Sequence, residues 1–142
     1  MGAITEALYE RLAGDLTLAG LLATYGGEPA VFSTDPPPGD ATLPYIVAAG
    51  HVSQEAYDTK TTRGLTVRRD VRCYAKADGS VETIEAIAEQ VWALLHRYAL
   101  AIVGYETWVV ECTGPIRADD DDAYGRVITA RMVIVETVEE GS

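Results

Sequence analysis

Apolar positions along this chain recur with two periods, and each period predicts an element. Ile4, Ala7, Leu8 and Leu12, with Arg11 among them, follow the i, i+3, i+4 spacing of one helix face, while Glu6 and Glu10 fall on the other side. Gly14 stops that helix, and Asp15 is placed to cap a second short one carrying Leu16, Leu18, Leu21 and Leu22. Gly26 and Gly27 end the second piece, and Val31–Thr34 reads as a short strand. The run 35–40, Asp-Pro-Pro-Pro-Gly-Asp, cannot be regular structure, because three prolines remove three backbone donors and fix φ. It is a surface loop or a stiff extended arm.

Pro44 opens the next strand, at a position where a missing N–H is tolerated. Tyr45–Val52 is apolar on both faces, and its small residues Ala48, Ala49 and Gly50 leave room for close packing. Asp58–Gly64 is a polar loop between two strands. Leu65–Lys76 alternates with period two. Leu65, Val67, Val71, Cys73 and Ala75 share one face with Arg69 as the exception, and Thr66, Arg68, Asp70, Arg72, Tyr74 and Lys76 share the other. Asp78-Gly79-Ser80 turns the chain, with Ser80 as helix cap. Val81, Ile84, Ile87, Ala88, Val91, Leu94, Leu95 and Tyr98 then form an unbroken helical stripe, with Glu82, Glu85 and Glu89 off it. This helix, over about residues 80–98, should be roughly 27 Å long. His96 and Arg97 lie at its end, on the favourable side of the helix dipole.

Tyr105–Thr113 is a β-branched and aromatic strand, interrupted at Gly114-Pro115. Four consecutive acids, Asp119–Asp122, repel one another and belong in a solvated loop. Tyr124–Val138 is apolar on both faces and so reads as a central strand covered on both sides, followed by a frayed tail, 139–142. There is no internal repeat. The order predicts one α+β domain over residues 1–142, with a mainly antiparallel sheet of four to five strands against an N-terminal helix and one long helix.

Composition narrows the function. The chain has 142 residues, 22 acids against 11 bases and a net charge of −11. A free-standing nucleic-acid reader carries the opposite footprint. The start of the chain lacks a basic region followed by a long apolar core, and no apolar run approaches the ~20 residues of a membrane span. The expectation is a soluble intracellular chain. Cys73 and Cys112 match no zinc or redox spacing and read as buried thiols rather than a disulfide. His51 and His96 have no second histidine or cysteine at ligand spacing. The acids of 119–122 lack the alternating spacing and closing glutamate of a calcium loop. Ser33, Ser53 and Ser80 sit in no nucleophile elbow, and no glycine-rich phosphate loop occurs. Arg63, Arg68, Arg69 and Arg72 form the one local basic cluster, but Arg68 and Arg72 face opposite to Arg69, which suits ion pairs better than nucleic acid. No catalytic constellation and no cofactor motif emerges.

The ordered set of segments resembles the tailed-phage tail terminator, or tail completion, family, which also occurs in gene transfer agents. The opening helix Ile4 to Asp15, the landmark Leu43 to Val47 after a proline-rich loop, Val71 to Ala75 before a long helix, and the acidic loop before Tyr124 to Glu136 carry the resemblance. It covers about Ile4 to Glu136. The apolar stretch Tyr98–Trp108 departs from it, since relatives often have a small polar or glycine-rich turn there. The resemblance implies a virion protein of the tail–neck junction, assembled in the host cytoplasm, without catalytic residues or cofactors. It implies a ring, usually a hexamer, on the last layer of the tail tube, with self, tail tube protein and head-completion or neck protein as partners and DNA passing through unbound. The residues expected at the subunit or tube interface are Asp58, Lys60, Thr61, Arg63 and Arg68, with Asp119, Asp120, Asp121 and Asp122 as acidic counterparts. Two rival readings remain: a small α+β enzyme or ligand-binding module with a pocket between helix and sheet, and a dimeric adaptor domain.

Overall fold

In the computed structural model residues 2–34, 37–56, 58, 63–120 and 122–137 are described, and for 49–52 and 109 the description covers the backbone. Helix α1 (Ala3–Ala13) buries Ile4, Ala7, Leu8 and Leu12, as the periodicity predicts. Gly14 is its C-cap. The Asp15 carboxylate caps α2 (Leu16–Leu21) by accepting from the Leu18 N–H at 2.8 Å. It also accepts from Gln90 Nε2 at 3.0 Å, so a local cap doubles as a tie to the long helix. Leu16 does not join the core and is exposed. Gly26 and Gly27 do not end α2. They form the two-residue turn of a small hairpin, β1 (Thr24–Tyr25) with β2 (Glu28–Pro29), where positive φ values of 61° and 85° favour glycine.

The main sheet has the order β3-β4-β5-β7-β6, formed by β3 (Val31–Phe32), β4 (Tyr45–Ala56), β5 (Gly64–Lys76), β6 (Tyr105–Arg117) and β7 (Ala123–Glu136). All pairings are antiparallel except the short parallel pair β3–β4. With the outlying hairpin the strands among the described residues number seven, more than the four to five expected. Strand β6 does not stop at Gly114-Pro115. It runs on to Arg117 through a register shift between Thr113 and Ile116, with Gly114 at φ 97°. A Cβ at Gly114 would lie 2.7 Å from the Val127 carbonyl oxygen, so the irregularity requires glycine.

Helix α3 (Glu82–Leu95) is shorter than the expected 80–98. Ser80 still serves its start, with Oγ accepting from the Glu82 N–H at 3.4 Å, although Val81 holds the cap position. Its end is cut because the next residues are recruited to the sheet. The Arg97 N–H donates to the Val110 carbonyl at 2.9 Å, and the Cys112 N–H donates to His96 Nδ1 at 3.0 Å. Arg97 adopts φ 59° to make that turn. The segment continues along β6, where Thr107 Oγ1 donates to the Leu100 carbonyl at 2.7 Å. The apolar stretch 98–108 is thus a short irregular connection followed by β6 from Tyr105.

The three helices share one face of the sheet. Ile84, Ile87, Val91 and Leu95 of α3 are buried with Val67, Val71 and Cys73 of β5 and Ile128, Ala130, Met132 and Ile134 of β7 in one apolar cluster. Arg69 is the exception to the alternation of β5 because Thr5 of α1 lies above it, and its Nη1 donates to Thr5 Oγ1 at 3.0 Å. β7 is central, between β5 and β6, as expected. Its second covering layer is not observed: among the described residues no helix lies on the other face, although Val133 and Val135 keep only 5% and 3% exposure there. On that face Phe32, Tyr45 and Tyr74 form a row of tilted rings 5.8 and 5.5 Å apart, which accounts for the apolar second side of β4. The expected frayed tail, 139–142, lies outside the described residues.

Candidate assembly surfaces

Of the predicted interface residues that are described, all but Arg68 fall at two opposite ends of the sheet. β4 and β5 pair antiparallel up to Ala56 and Leu65, so the polar segment read as a loop lies between two adjacent antiparallel strands. Asp58 and Arg63 are exposed there, while Lys60 and Thr61 lie outside the described residues. Asp58 closes the loop by accepting from the Gly64 N–H at 3.3 Å, and the Arg63 carbonyl accepts from the Glu136 N–H at 2.8 Å. A shallow recess of about 160 Å³ opens beside them, lined by Ala56, Leu65, Tyr105 and Glu136 among others. The backbone at Arg63 and Gly64 is therefore anchored, and the Arg63 side chain is exposed.

The acids cluster at the other end, in the turn between β6 and β7. Asp119 is engaged within its own subunit. It accepts from Arg117 Nε at 2.6 Å and from the Gly125 N–H at 3.0 Å, and Arg126 Nη1 stands 3.5 Å away. The Gly125 N–H bond and the neighbouring Arg117 guanidinium hold the Asp119 carboxyl below the usual carboxylate range. Asp120 closes the turn through paired backbone bonds with Ala123. Asp122 is exposed, and its carbonyl accepts from the Ala77 N–H at 3.3 Å. Asp121 lies outside the described residues. β5 has 13 residues between the two ends, a span of roughly 40 Å at the usual strand rise. Arg63 and the acidic turn therefore cannot meet within one subunit, and a contact between them needs two copies placed with opposite ends of their sheets together.

Arg68 belongs to neither end. It lies mid-sheet on the helix-free face, with Nη1 donating to Ser53 Oγ at 3.4 Å, and the register puts it directly opposite Arg131. Arg131 in turn lies 3.9 Å from Glu111 of β6. Next to this row Thr129 Oγ1 donates to Asp70 at 2.7 Å, and Arg72 stands 3.8 Å from the same carboxylate. Sequence reading found Arg68 but not its opposition to Arg131, because that neighbour is set by the pairing of strands 63 positions apart and leaves no local pattern.

Among the described residues the space between helices and sheet is occupied mainly by the apolar cluster, with the Arg69–Thr5 hydrogen bond beside it. A recess of about 290 Å³ lies at the rim of the helical layer, where Arg11 stacks 3.5 Å over the Tyr98 ring and donates to the Leu94 carbonyl. Among the described residues no group of three or more histidines, cysteines or acids converges as metal ligands. Cys73 and Cys112 are both buried free thiols, pushed up to about 12 and about 11 by burial. His96 stacks on Trp92 at 4.6 Å and is used to hold β6. Of the His51 side chain nothing is described. Among the described residues no helix is long and apolar enough to cross a membrane.

This architecture is shared with a virion chain of known structure. The fold is similar to that of a chain in "Virion of native gene transfer agent (GTA) particle", with a TM-score of 0.78 and 19% sequence identity over 93% of this chain and 94% of that one. The match extends to sequence families: the model for Tail completion protein gp17 covers residues 6–135, and the chain belongs to that family. It is a structural phage tail protein, not an enzyme. No curated protein matches.

Proposed function

We propose that this protein closes the end of a tail tube as a ring of identical copies. The family membership over residues 6–135 is the observation that carries the reading. In it, the whole chain acts as one domain, and six copies sit on the last layer of tube subunits and stop polymerisation. The exposed side of the ring then meets head-completion or neck proteins. The protein is a virion component of the tail–neck junction, assembled in the host cytoplasm, which accords with the particle named for the structural relative. Each copy brings a net charge of −11 to the ring. Acidic walls repel phosphate, so DNA would slide through without the counterion release that drives tight binding.

Deleting the gene and measuring tails by negative-stain microscopy tests this. Tails of uncontrolled length, restored to normal by the wild-type chain, are expected; tails of normal length in the deletion strain would overturn the reading. The exposed Arg63 at the anchored hairpin gives a finer test of the joint. Arg63→Glu should leave thermal melting unchanged and abolish tail termination. If the variant ends tails at the wild-type frequency, this hairpin is not the contact.

A further inference from the structure

Two surfaces of the subunit face away from each other, one bearing arginines interspersed with acids and the other bearing acids without a basic residue. The first is the helix-free face of the sheet, where Arg68 of β5 and Arg131 of β7 are direct cross-strand partners. Like charges in that position repel, and sheets ordinarily avoid them. Here the repulsion is only partly relieved. Among the described residues Arg68 has a serine hydroxyl at 3.4 Å, and Arg131 has Glu111 at 3.9 Å, beyond a good hydrogen bond. Arg72 sits four residues along β5 from Arg68, beside Asp70. This part of the face is reachable: the Arg72, Arg131 and Glu111 side chains are 44%, 39% and 60% exposed, and Ile116 presents an apolar surface at 63%. A pair of adjacent guanidinium groups held by a rigid sheet is well suited to carboxylates arriving from outside.

The second surface is the outer side of α3. Glu82, Glu85 and Glu89 are exposed along it, and Glu82–Leu95 contains no lysine or arginine. Glu85 approaches Arg126 only at 4.0 Å and stays 57% exposed. The three acids span about 10 Å along the helix axis, and Arg68 to Arg72 spans about 13 Å along the strand. The two lengths are comparable, and because both elements are regular, one can lie along the other.

We propose that the arginine-bearing, helix-free face of the sheet receives the acidic outer side of α3 from a second copy of this chain. The two surfaces lie on opposite faces of the subunit, so the contact is heterologous: every copy offers one of each, and repetition closes into a ring when the rotation per step allows. This rests on the ring proposed above and names the surfaces that join it. Duplex DNA is the other polyanion that paired arginines could take, and it is disfavoured by the net charge of −11.

The test uses the full chain and charge exchange. Self-association is followed by sedimentation over a concentration series up to the millimolar range, at low and high salt. Wild-type association should weaken with salt. Arg68→Glu with Arg131→Glu should weaken it by about tenfold or more, as should Glu85→Arg with Glu89→Arg. Joining all four changes in one chain should restore it. Arg68→Gln with Arg131→Gln serves if the reversed pair fails to fold, as read by thermal melting. The proposal is overturned by a wild type that stays monomeric throughout, by association indifferent to either pair of changes, or by no rescue in the fourfold variant. It is equally overturned if the arginine changes abolish binding to a short duplex DNA while self-association persists. Tail lengths in the same strains separate the two levels. Normal termination by the arginine variants removes this interface and leaves the tail-closing role standing, whereas normal tails in the deletion strain remove that role.

Discussion

Truncating Leu95 to alanine probes how α3 is held. Leu95 is completely buried at the end of the helix, one residue before the point where His96 turns out to hold β6. The change removes three carbons from the core, and at about 0.8 kcal/mol for each buried methylene-sized group the lost transfer energy is about 2.4 kcal/mol. The surrounding cluster relaxes only in part, and the residual cavity adds about 1 kcal/mol, giving a loss of about 3–4 kcal/mol. For 142 residues the entropy of unfolding is about 0.3 kcal/mol/K, so the melting temperature should fall by about 10–14 °C. The assay is calorimetric or circular-dichroism melting of the two proteins side by side, with urea unfolding to check that the transition stays two-state. Glu89→Ala on the exposed side of the same helix is the control and should stay within about 0.5 kcal/mol. A loss below about 0.5 kcal/mol for Leu95→Ala would falsify the packing of α3 on the sheet, because no buried leucine in a closely packed core can be removed at so small a cost.

Three further outcomes are expected. Gly125→Ala should lower stability by more than about 2 kcal/mol, since a Cβ there would run into the Ala118 carbonyl, whereas Gly39→Ala, with open space around it, should be near neutral by the same melting assay. The Asp119 carboxyl is held low, so it is ionised in the folded chain at pH values where the unfolded chain binds the proton. Its contribution is therefore fully present above the unfolded value of about 3.9 and is lost as pH falls through the folded one. Asp119→Asn should flatten the acid limb of the melting curve, and an NMR titration midpoint at or above about 3.9 would refute the assignment. The buried thiols of Cys73 and Cys112 should resist a thiol reagent at pH 8 and both react once the chain is unfolded; fast labelling of either in the native protein would contradict their burial.

The elements that could be read from sequence are those whose signal is local. The stripe of α3, the alternation of β5 and the Asp15 cap each depend on residues within a few positions of one another, and all three are found. What escaped depends on the partner across space. Gly114-Pro115 reads as a break, yet β7 supplies enough pairing to carry β6 past it as a bulge. Gly26-Gly27 reads as a helix stop, yet the two residues turn a hairpin whose strands are only two residues long and carry no pattern of their own. The end of α3 was set by hydrogen bonds to Val110 and Cys112, more than a dozen residues on. The same division holds for the assembly surfaces. Hairpin and acidic turn are visible as polar runs, whereas the facing of Arg68 and Arg131, and the internal use of Asp119, follow from register and turn geometry.

The fastening of β6 by His96 and Arg97 has a consequence for how copies can add to one another. β6 is the long edge of the sheet, and strand-to-strand addition by another chain needs a continuous row of free donors and acceptors. At the middle of that row the Val110 carbonyl and the Cys112 amide are already taken. Any subunit joining there must first break two bonds of its host. On the other flank β3 occupies only Ile46 and Val47 of β4, so one side is obstructed and the other largely unclaimed by β3. A unit with a single usable rim can join one other such rim, back to back, and then the series ends at two. Continuous β-pairing, the arithmetic of fibrils, is thereby blocked, and a closed assembly of more than two copies is built through contacts other than strand addition.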